Sequence, residues 1–155
     1  MNIQQALFRL RFAGTMAAAA TIAAFSLAAF ADEIKLMLSG DMEVPPVKTM
    51  ASGSGTITIN PDMTVNGRIT TSGITGTMAH VHMAAKGVNG PVLIHLDKDG
   101  DNGWVIPAGA KLTAAQYESY KAGDLYVNVH SAENKGGEIR GQLAPPPMAA
   151  KKSGY

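Results

Sequence analysis

Two histidines one residue apart, His80 and His82, lie in a segment whose residues are typical of a β-strand. Alternate residues of a strand point to the same face, with their backbones roughly 7 Å apart, so two imidazoles can converge on one ion. A third histidine, His130, ends a second strand-like segment. Three imidazoles form a ligand set that suits copper or zinc. The spacing therefore predicts a metal site formed by His80, His82 and His130.

The other candidate ligands rank below these three. His95 alternates with the apolar residues Ile94 and Leu96, so we expect it to face away from the core and to be a weaker, fourth ligand. Met83 has the opposite strand parity to His82 and is predicted to be a core side chain. Copper is the first choice of metal, because imidazole with nearby thioether suits it and it heads the divalent affinity order. Zinc is the second.

Short β-type segments, separated by Gly, Asn, Asp and Pro, must position these histidines. One helix is predicted over residues 114–122, because Thr113 and Gln116 form a capping-box pattern and Gly123 is placed to end it. The pattern predicts an all-β fold, an antiparallel Greek-key β-sandwich or flattened barrel with one short connecting helix. The predicted strands cover residues 34–39, 55–60, 64–71, 78–83, 91–96, 125–130 and 138–143.

The beginning of the sequence has the pattern of an export signal. Arg9 and Arg11 precede an apolar, Ala-rich stretch over 12–30, which ends in a small-x-small pattern before Asp32. We therefore predict a signal peptide over residues 1–31 and a periplasmic or secreted protein. The alternative is that the stretch stays uncleaved and anchors the protein in a membrane.

Charge and cysteine content exclude several classes of function. Without Arg9 and Arg11, eleven basic residues face twelve acidic ones over residues 32–155, so the predicted mature chain has no basic footprint for nucleic acid or for a lipid surface. The chain has no cysteine, which excludes blue-copper sites, thiol redox catalysis, Cys-ligated zinc and iron–sulfur clusters. Residues 144–155 are polar and Pro-rich, and a disordered tail is predicted there.

Several motifs follow one another between residues 36 and 143. They are L-S-G at 38–40 with E-V-P-P at 43–46, A-H-V-H at 79–82, V-N-G-P-V at 88–92, L-T-A-A-Q at 112–116, L-Y-V-N-V-H-S at 125–131 and G-G-E-I-R-G-Q-L at 136–143. Together they resemble the signature of the chordin-type, or CHRD, domain family. This resemblance implies a β-sandwich module found in exported bacterial proteins and in chordin, an extracellular antagonist of growth factors. It implies no single activity.

The H-x-H strand and the V-N-V-H ending at 127–130 also resemble copper–zinc superoxide dismutases, whose copper histidines come from comparable places on a Greek-key barrel. The chain lacks the Cys pair and the His-rich, Asp-bearing zinc loop of those enzymes. A single ion held by His80, His82 and His130 is therefore predicted rather than a bimetallic site.

Other polar groups are expected to be structural. Tyr126 and Asn128 share the parity of His130 and are candidates to orient it, and Glu138 and Arg140 are expected to pair across strands. The acidic segment over 97–103 resembles a calcium loop, but it lacks the Gly and Glu that such a loop needs, so a solvated turn is predicted.

These observations predict an exported protein that holds a single transition metal, copper before zinc, for sequestration or homeostasis. The alternative is a metal-free extracytoplasmic interaction or structural module with a protein partner that the sequence does not specify. The sequence has no nucleophile elbow, phosphate loop or dinucleotide fingerprint. An enzymatic activity is therefore not favoured, and a dismutase-like copper redox activity is the minority possibility.

Overall fold

Nine β-strands and one α-helix form the part of the chain that the computed structural model describes, residues 31–146. The predicted signal peptide, apart from residue 31, and the predicted tail beyond residue 146 lie outside these residues. Within 31–146, no helix is both long enough and apolar enough to span a bilayer. In chain order the elements are β1 (Asp32–Ser39), β2 (Ser52–Ile59), β3 (Val65–Ser72), β4 (Gly76–Met83), β5 (Val92–His95), β6 (Asp97–Asp99), β7 (Gly103–Val105), α1 (Ala114–Lys121), β8 (Leu125–Ser131) and β9 (Ile139–Leu143).

All nine strands belong to one antiparallel sheet in the order β5-β4-β8-β9-β1-β2-β3-β7-β6. The first and last strands along the chain, β1 and β9, are neighbours in this sheet, with Ser39 of β1 opposite Arg140 of β9. The two edge strands, β5 and β6, are separated along the chain by Leu96 alone. Because one residue cannot cross an open sheet of this width, the sheet must curl until its edges meet. The result is a nearly closed, flattened barrel, which confirms the predicted all-β antiparallel fold.

The core fills the inside of this barrel. In β1, Ile34, Leu36 and Leu38 are buried while Lys35 and Met37 between them are exposed. This alternation of period two is what a sheet with one apolar face and one wet face requires. The predicted strands over 55–60 and 64–71 correspond to β2 and β3, which pair as a hairpin, with each residue of Ser52–Ile59 opposite one of Val65–Ser72.

Residues 79–82 of β4 and the whole of β8 depart from this alternation because they are buried on both faces. Val81 of β4 and Val127 of β8 lie opposite one another and point into the core. The alternate residues, which include His80 and His82, are also buried although they belong to the outer face. A polar layer is therefore enclosed between the outside of the barrel and the loops that cover it.

The single α-helix described, α1, begins as predicted, and a short 3₁₀ helix covers Gly40–Met42. The Thr113 hydroxyl accepts a hydrogen bond from the Gln116 backbone N–H (3.2 Å), and the Gln116 side chain accepts one from the Thr113 N–H (2.8 Å). Gly123, at φ +82°, ends it in the left-handed conformation that glycine adopts easily. Tyr120 is fully buried and its hydroxyl donates to Asp32 Oδ2 (2.9 Å), so the helix is fixed to the start of β1.

The hairpin formed by β6 and β7 was not predicted from the sequence. The acidic segment over 97–103 forms its first strand and its turn, and the turn proper is confined to residues 100–102. Asp99 makes an ion pair with Arg68 on β3, which accounts for one of the carboxylates that resembled calcium ligands. Three-residue strands carry too few residues for an alternating pattern to be recognised.

Candidate metal site

The pairing of β4 with β8 brings the three predicted histidines together. His82 is opposite Tyr126, His80 is opposite Asn128, and His130 lies one pair further along the same face. One ligand nitrogen from each of the three histidines lies within 4.8 Å of the others. Among residues 31–146, no other group of three or more His, Asp or Glu side chains converges in this way. The structure therefore brings His80, His82 and His130 together in one cluster, and metal binding by this cluster stays a prediction.

These histidines point away from the barrel core, as predicted, but they are not open to solvent. His80, His82 and His130 are only 6%, 7% and 6% exposed. Backbone from two loops lies against them, with the Gly90 carbonyl against His82 and the Lys135 carbonyl against His130. The loops place these imidazoles in an enclosed site on the outer face of the sheet.

The two carbonyls fix which ring nitrogen of each histidine is free. A carbonyl only accepts, so His82 Nδ1 donates to Gly90 (2.9 Å) and His130 Nδ1 donates to Lys135 (2.8 Å). In the neutral rings, the lone pair is then on Nε2. His82 Nε2 is buried and contacts no hydrogen-bonding partner in the described structure. This is the arrangement of ligating histidines, whose second nitrogen is held by a carbonyl or carboxylate.

The third ring completes the set through a hydrogen bond. His80 Nδ1 lies 3.0 Å from His130 Nε2. Because His130 Nε2 carries a lone pair, His80 Nδ1 donates, and the lone pair of His80 is on its own Nε2. The 3.0 Å distance therefore joins a protonated nitrogen to a lone pair, and both rings can bind one ion only after this hydrogen bond opens.

The surroundings keep all three rings neutral at pH 7, which is the form that binds metal. Burial, reinforced by the neighbouring His130, His95 and His82, lowers the pKa of His80 from its usual 6.5 to about 4. Burial also lowers the pKa of His82, although the Gly90 carbonyl opposes this. It lowers the pKa of His130 in the same way, against the Lys135 carbonyl.

The side chains of His82, Tyr126 and Arg140 form a stack that holds His82 in place. The Tyr126 ring is parallel to the His82 ring, with centroids 4.7 Å apart and an interplanar angle of 3°. The Arg140 guanidinium lies 3.3 Å from the centroid of Tyr126. Cations lie favourably over aromatic faces, more so when both are shielded from water. Tyr126 was predicted to orient His130, but it orients His82 instead. The Lys135 carbonyl orients His130.

Arg140 also fastens the loop that covers His82. It is 1% exposed and donates to the Val88 carbonyl (2.9 Å) and to Asn89 Oδ1 (3.3 Å). Burial lowers its pKa. The predicted pairing of Glu138 with Arg140 is wrong, because Glu138 instead accepts a hydrogen bond from the Thr49 hydroxyl (2.6 Å). Glu138 lies just before β9 and Arg140 lies on it, and separate loops reach each of them.

Glu43 extends the enclosed polar layer. Burial raises the pKa of this carboxyl, and the charge of Arg140 partly offsets the rise. Its Oε1 and the Asn128 Oδ1 are buried without a hydrogen-bond partner among the described residues. Gly137, at φ +131°, lies so close to both side chains that a Cβ there would overlap them. The layer beside the histidines is therefore tightly packed but not fully hydrogen-bonded.

The remaining candidates fall outside the cluster. His95 is exposed and lies on β5 directly opposite His80, with ring centroids 4.6 Å apart, but it is not one of the three converging residues. Met83 packs against the core, as predicted. The two carbonyls of Gly90 and Lys135 are the functional groups that the sequence analysis missed. Every residue has a carbonyl, so only the folded loop shows which ones face the imidazoles.

Comparison with known proteins supports the resemblance seen in the motifs. Residues 34–143 match the CHRD domain. The chain is 28% identical over 117 residues to chordin of Xenopus laevis, and the match covers 74% of this chain and 12% of chordin. No solved structure matches the chain significantly. The comparison thus identifies the domain family but says nothing about the histidines, whose role must be argued from their geometry.

Proposed function

The chain belongs to the CHRD domain family, and on that basis we propose that it is an extracytoplasmic protein that binds one transition-metal ion through His80, His82 and His130. The location is supported by the occurrence of CHRD domains in secreted proteins such as chordin, and by the predicted signal peptide. The periplasm is the proposed compartment, where the domain sequesters the metal or contributes to its homeostasis.

One observation carries the proposal: the buried Nε2 of His82 has no hydrogen-bond partner and lies in a cluster of neutral imidazoles. An unpaired polar atom in a protein interior is unfavourable by about 1–3 kcal/mol unless something binds it. The carbonyls of Gly90 and Lys135 hold two of the three rings with the lone pair on Nε2; that of His82 is unengaged, and that of His130 accepts the hydrogen bond of His80 until an ion replaces it. A metal ion satisfies all of these groups at once.

Copper is the proposed ion and zinc the second candidate. The ligands are nitrogen donors alone, which both metals accept, and copper forms the more stable complexes with a given set of such donors. A hard cation such as calcium or magnesium requires oxygen ligands, and the three converging side chains supply none.

The geometry favours binding over redox catalysis. A dismutase-like reaction requires an accessible metal position and a nearby cation that attracts the anionic substrate. Arg140 is the buried cation of this polar layer, and its guanidinium is already engaged by the Tyr126 ring and the Val88 carbonyl. The histidines are also enclosed, which suits retention of an ion better than rapid exchange with a substrate.

Isothermal titration of the purified chain with Cu²⁺ and, separately, with Zn²⁺ tests the proposal. We expect one ion per chain, and tighter binding of copper. His130→Ala, or His80→Ala combined with His82→Ala, should weaken binding by more than the roughly 100-fold that marks loss of an outer-shell partner, because each change removes a ligand.

His95→Ala is the matched control at equilibrium, because it removes a neighbouring imidazole that lies outside the cluster. Circular dichroism of each variant should retain the strand spectrum. If the wild-type chain binds neither ion, or if His130→Ala binds as the wild type does, the metal proposal is wrong. The metal-free interaction module would then be the better account of the domain.

A further inference from the structure

His95 is the exposed member of a row of imidazoles that leads from the surface to the cluster. Its ring is 4.6 Å from that of His80, and the His80 ring is 4.8 Å from that of His130, centroid to centroid. His95 is exposed, whereas His80 and His130 are both buried. Any ion that moves along this row meets His95 first and His80 second.

The backbone holds His95 in this position. It ends the edge strand β5 and is opposite His80 in the sheet. The next residue, Leu96, is 6% exposed, and its N–H donates to the Ala79 carbonyl (2.9 Å). Ala79 in turn precedes His80, so the two rings are kept together by hydrogen-bonded backbone on both strands. The proximity does not depend on the conformation of a free loop.

The hydrogen bonding of His80 leaves one of its ring nitrogens free to bind an ion. Its Nδ1 carries a proton that is donated to His130, so its lone pair is on Nε2 and is not engaged with His130. A hydrated ion can therefore bind His95 and His80 before the hydrogen bond between His80 and His130 is broken.

We propose that His95 is a transient capture ligand, which takes the metal ion from solvent and passes it through His80 to the buried cluster. The inference rests on the proposed function and assigns a further residue to it. Capture exchanges two bound waters for one nitrogen of His95 and Nε2 of His80. Transfer then breaks the bond to His95, releases one further water and opens the hydrogen bond between His80 and His130, while bonds to His82 and His130 form, with no change in the oxidation state of the ion.

A transient ligand raises the association rate and the dissociation rate of the metal ion by the same factor, so the Kd does not change. Stopped-flow mixing of the full chain with Cu²⁺, followed through the visible absorbance of the copper complex, gives the association rate. Addition of EDTA to the copper-loaded chain gives the dissociation rate. For His95→Ala we expect both rates to fall by a similar factor of about ten or more, with less than about a threefold change in Kd. Val92→Ala, an exposed change on the same edge strand, should leave both rates at the wild-type value.

The possible results separate this inference from the metal site itself. Faster dissociation with unchanged association in His95→Ala would make His95 a permanent fourth ligand and overturn the capture role. Unchanged rates would also overturn it, while wild-type binding and the loss in His130→Ala would leave the proposed function in place. Absence of copper binding by the wild-type chain would overturn both proposals.

Discussion

Acid should destabilise the metal-free protein through His80. Burial lowers the pKa of this side chain to about 4, against 6.5 in an unfolded chain. Between these values the unfolded chain takes up a proton that the folded protein does not, so the free energy of unfolding is undiminished above pH 6.5 and falls as the pH falls towards 4. Each tenfold difference in proton affinity is worth about 1.4 kcal/mol, which gives a loss of about 3 kcal/mol from His80 alone.

Urea denaturation at intervals between pH 7 and pH 4, with a chelator present, measures this loss. Carboxyl groups also titrate in this range, so the informative quantity is the difference between the wild type and His80→Gln. The variant should lose about 3 kcal/mol less than the wild type over the same interval. Thr113→Ala is a control that lowers stability without changing a titratable group, and its curve should stay parallel to that of the wild type. Parallel curves for His80→Gln and wild type would refute the argument.

Two further changes test how the site and the helix are held. Arg140→Met removes the stack on Tyr126 and the bond to the Val88 carbonyl, so the free energy of unfolding should fall by about 3 kcal/mol and amides of residues 84–91 should exchange faster. Unchanged exchange in that loop would show that Arg140 does not fasten it. Thr113→Ala removes the capping hydroxyl of α1 and should lower stability by about 1 kcal/mol, with copper affinity unaltered; a larger loss in urea denaturation would mean that Thr113 does more than cap.

The strands and the helix were largely predictable because their signals are local. Alternation marks β1 to β3, and Thr113 with Gln116 defines the start of α1 within one residue. The same rule of alternation put His80 and His82 on one face. The short strands β6 and β7 could not be predicted, since their pairing with each other and with β3 depends on the curl of the whole sheet.

The enclosure of the site was not predictable for a different reason. Strand parity correctly places His80 and His82 on the face away from the core, and a side chain on that face is normally exposed to solvent. Here the loop over residues 84–91 folds back across them, held by Arg140 from a strand more than 50 residues further along the chain. Such long-range contacts leave no periodic pattern in a single sequence. The same holds for Tyr126, whose partner His82 follows from strand register rather than from spacing.

Because β1 and β9 are antiparallel neighbours, the residues that lead into the domain and those that leave it are side by side. Glu33 and Lys35 line one surface groove together with Pro145 and Pro146. A domain whose ends are adjacent can be inserted into a loop of another protein, or repeated along one polypeptide, without separating the strands of its host. The histidine cluster is built entirely between these ends, on β4 and β8. Because Arg140 of β9 and the covering loops are also part of the domain, the cluster would move with the whole domain into a larger protein, and not without it.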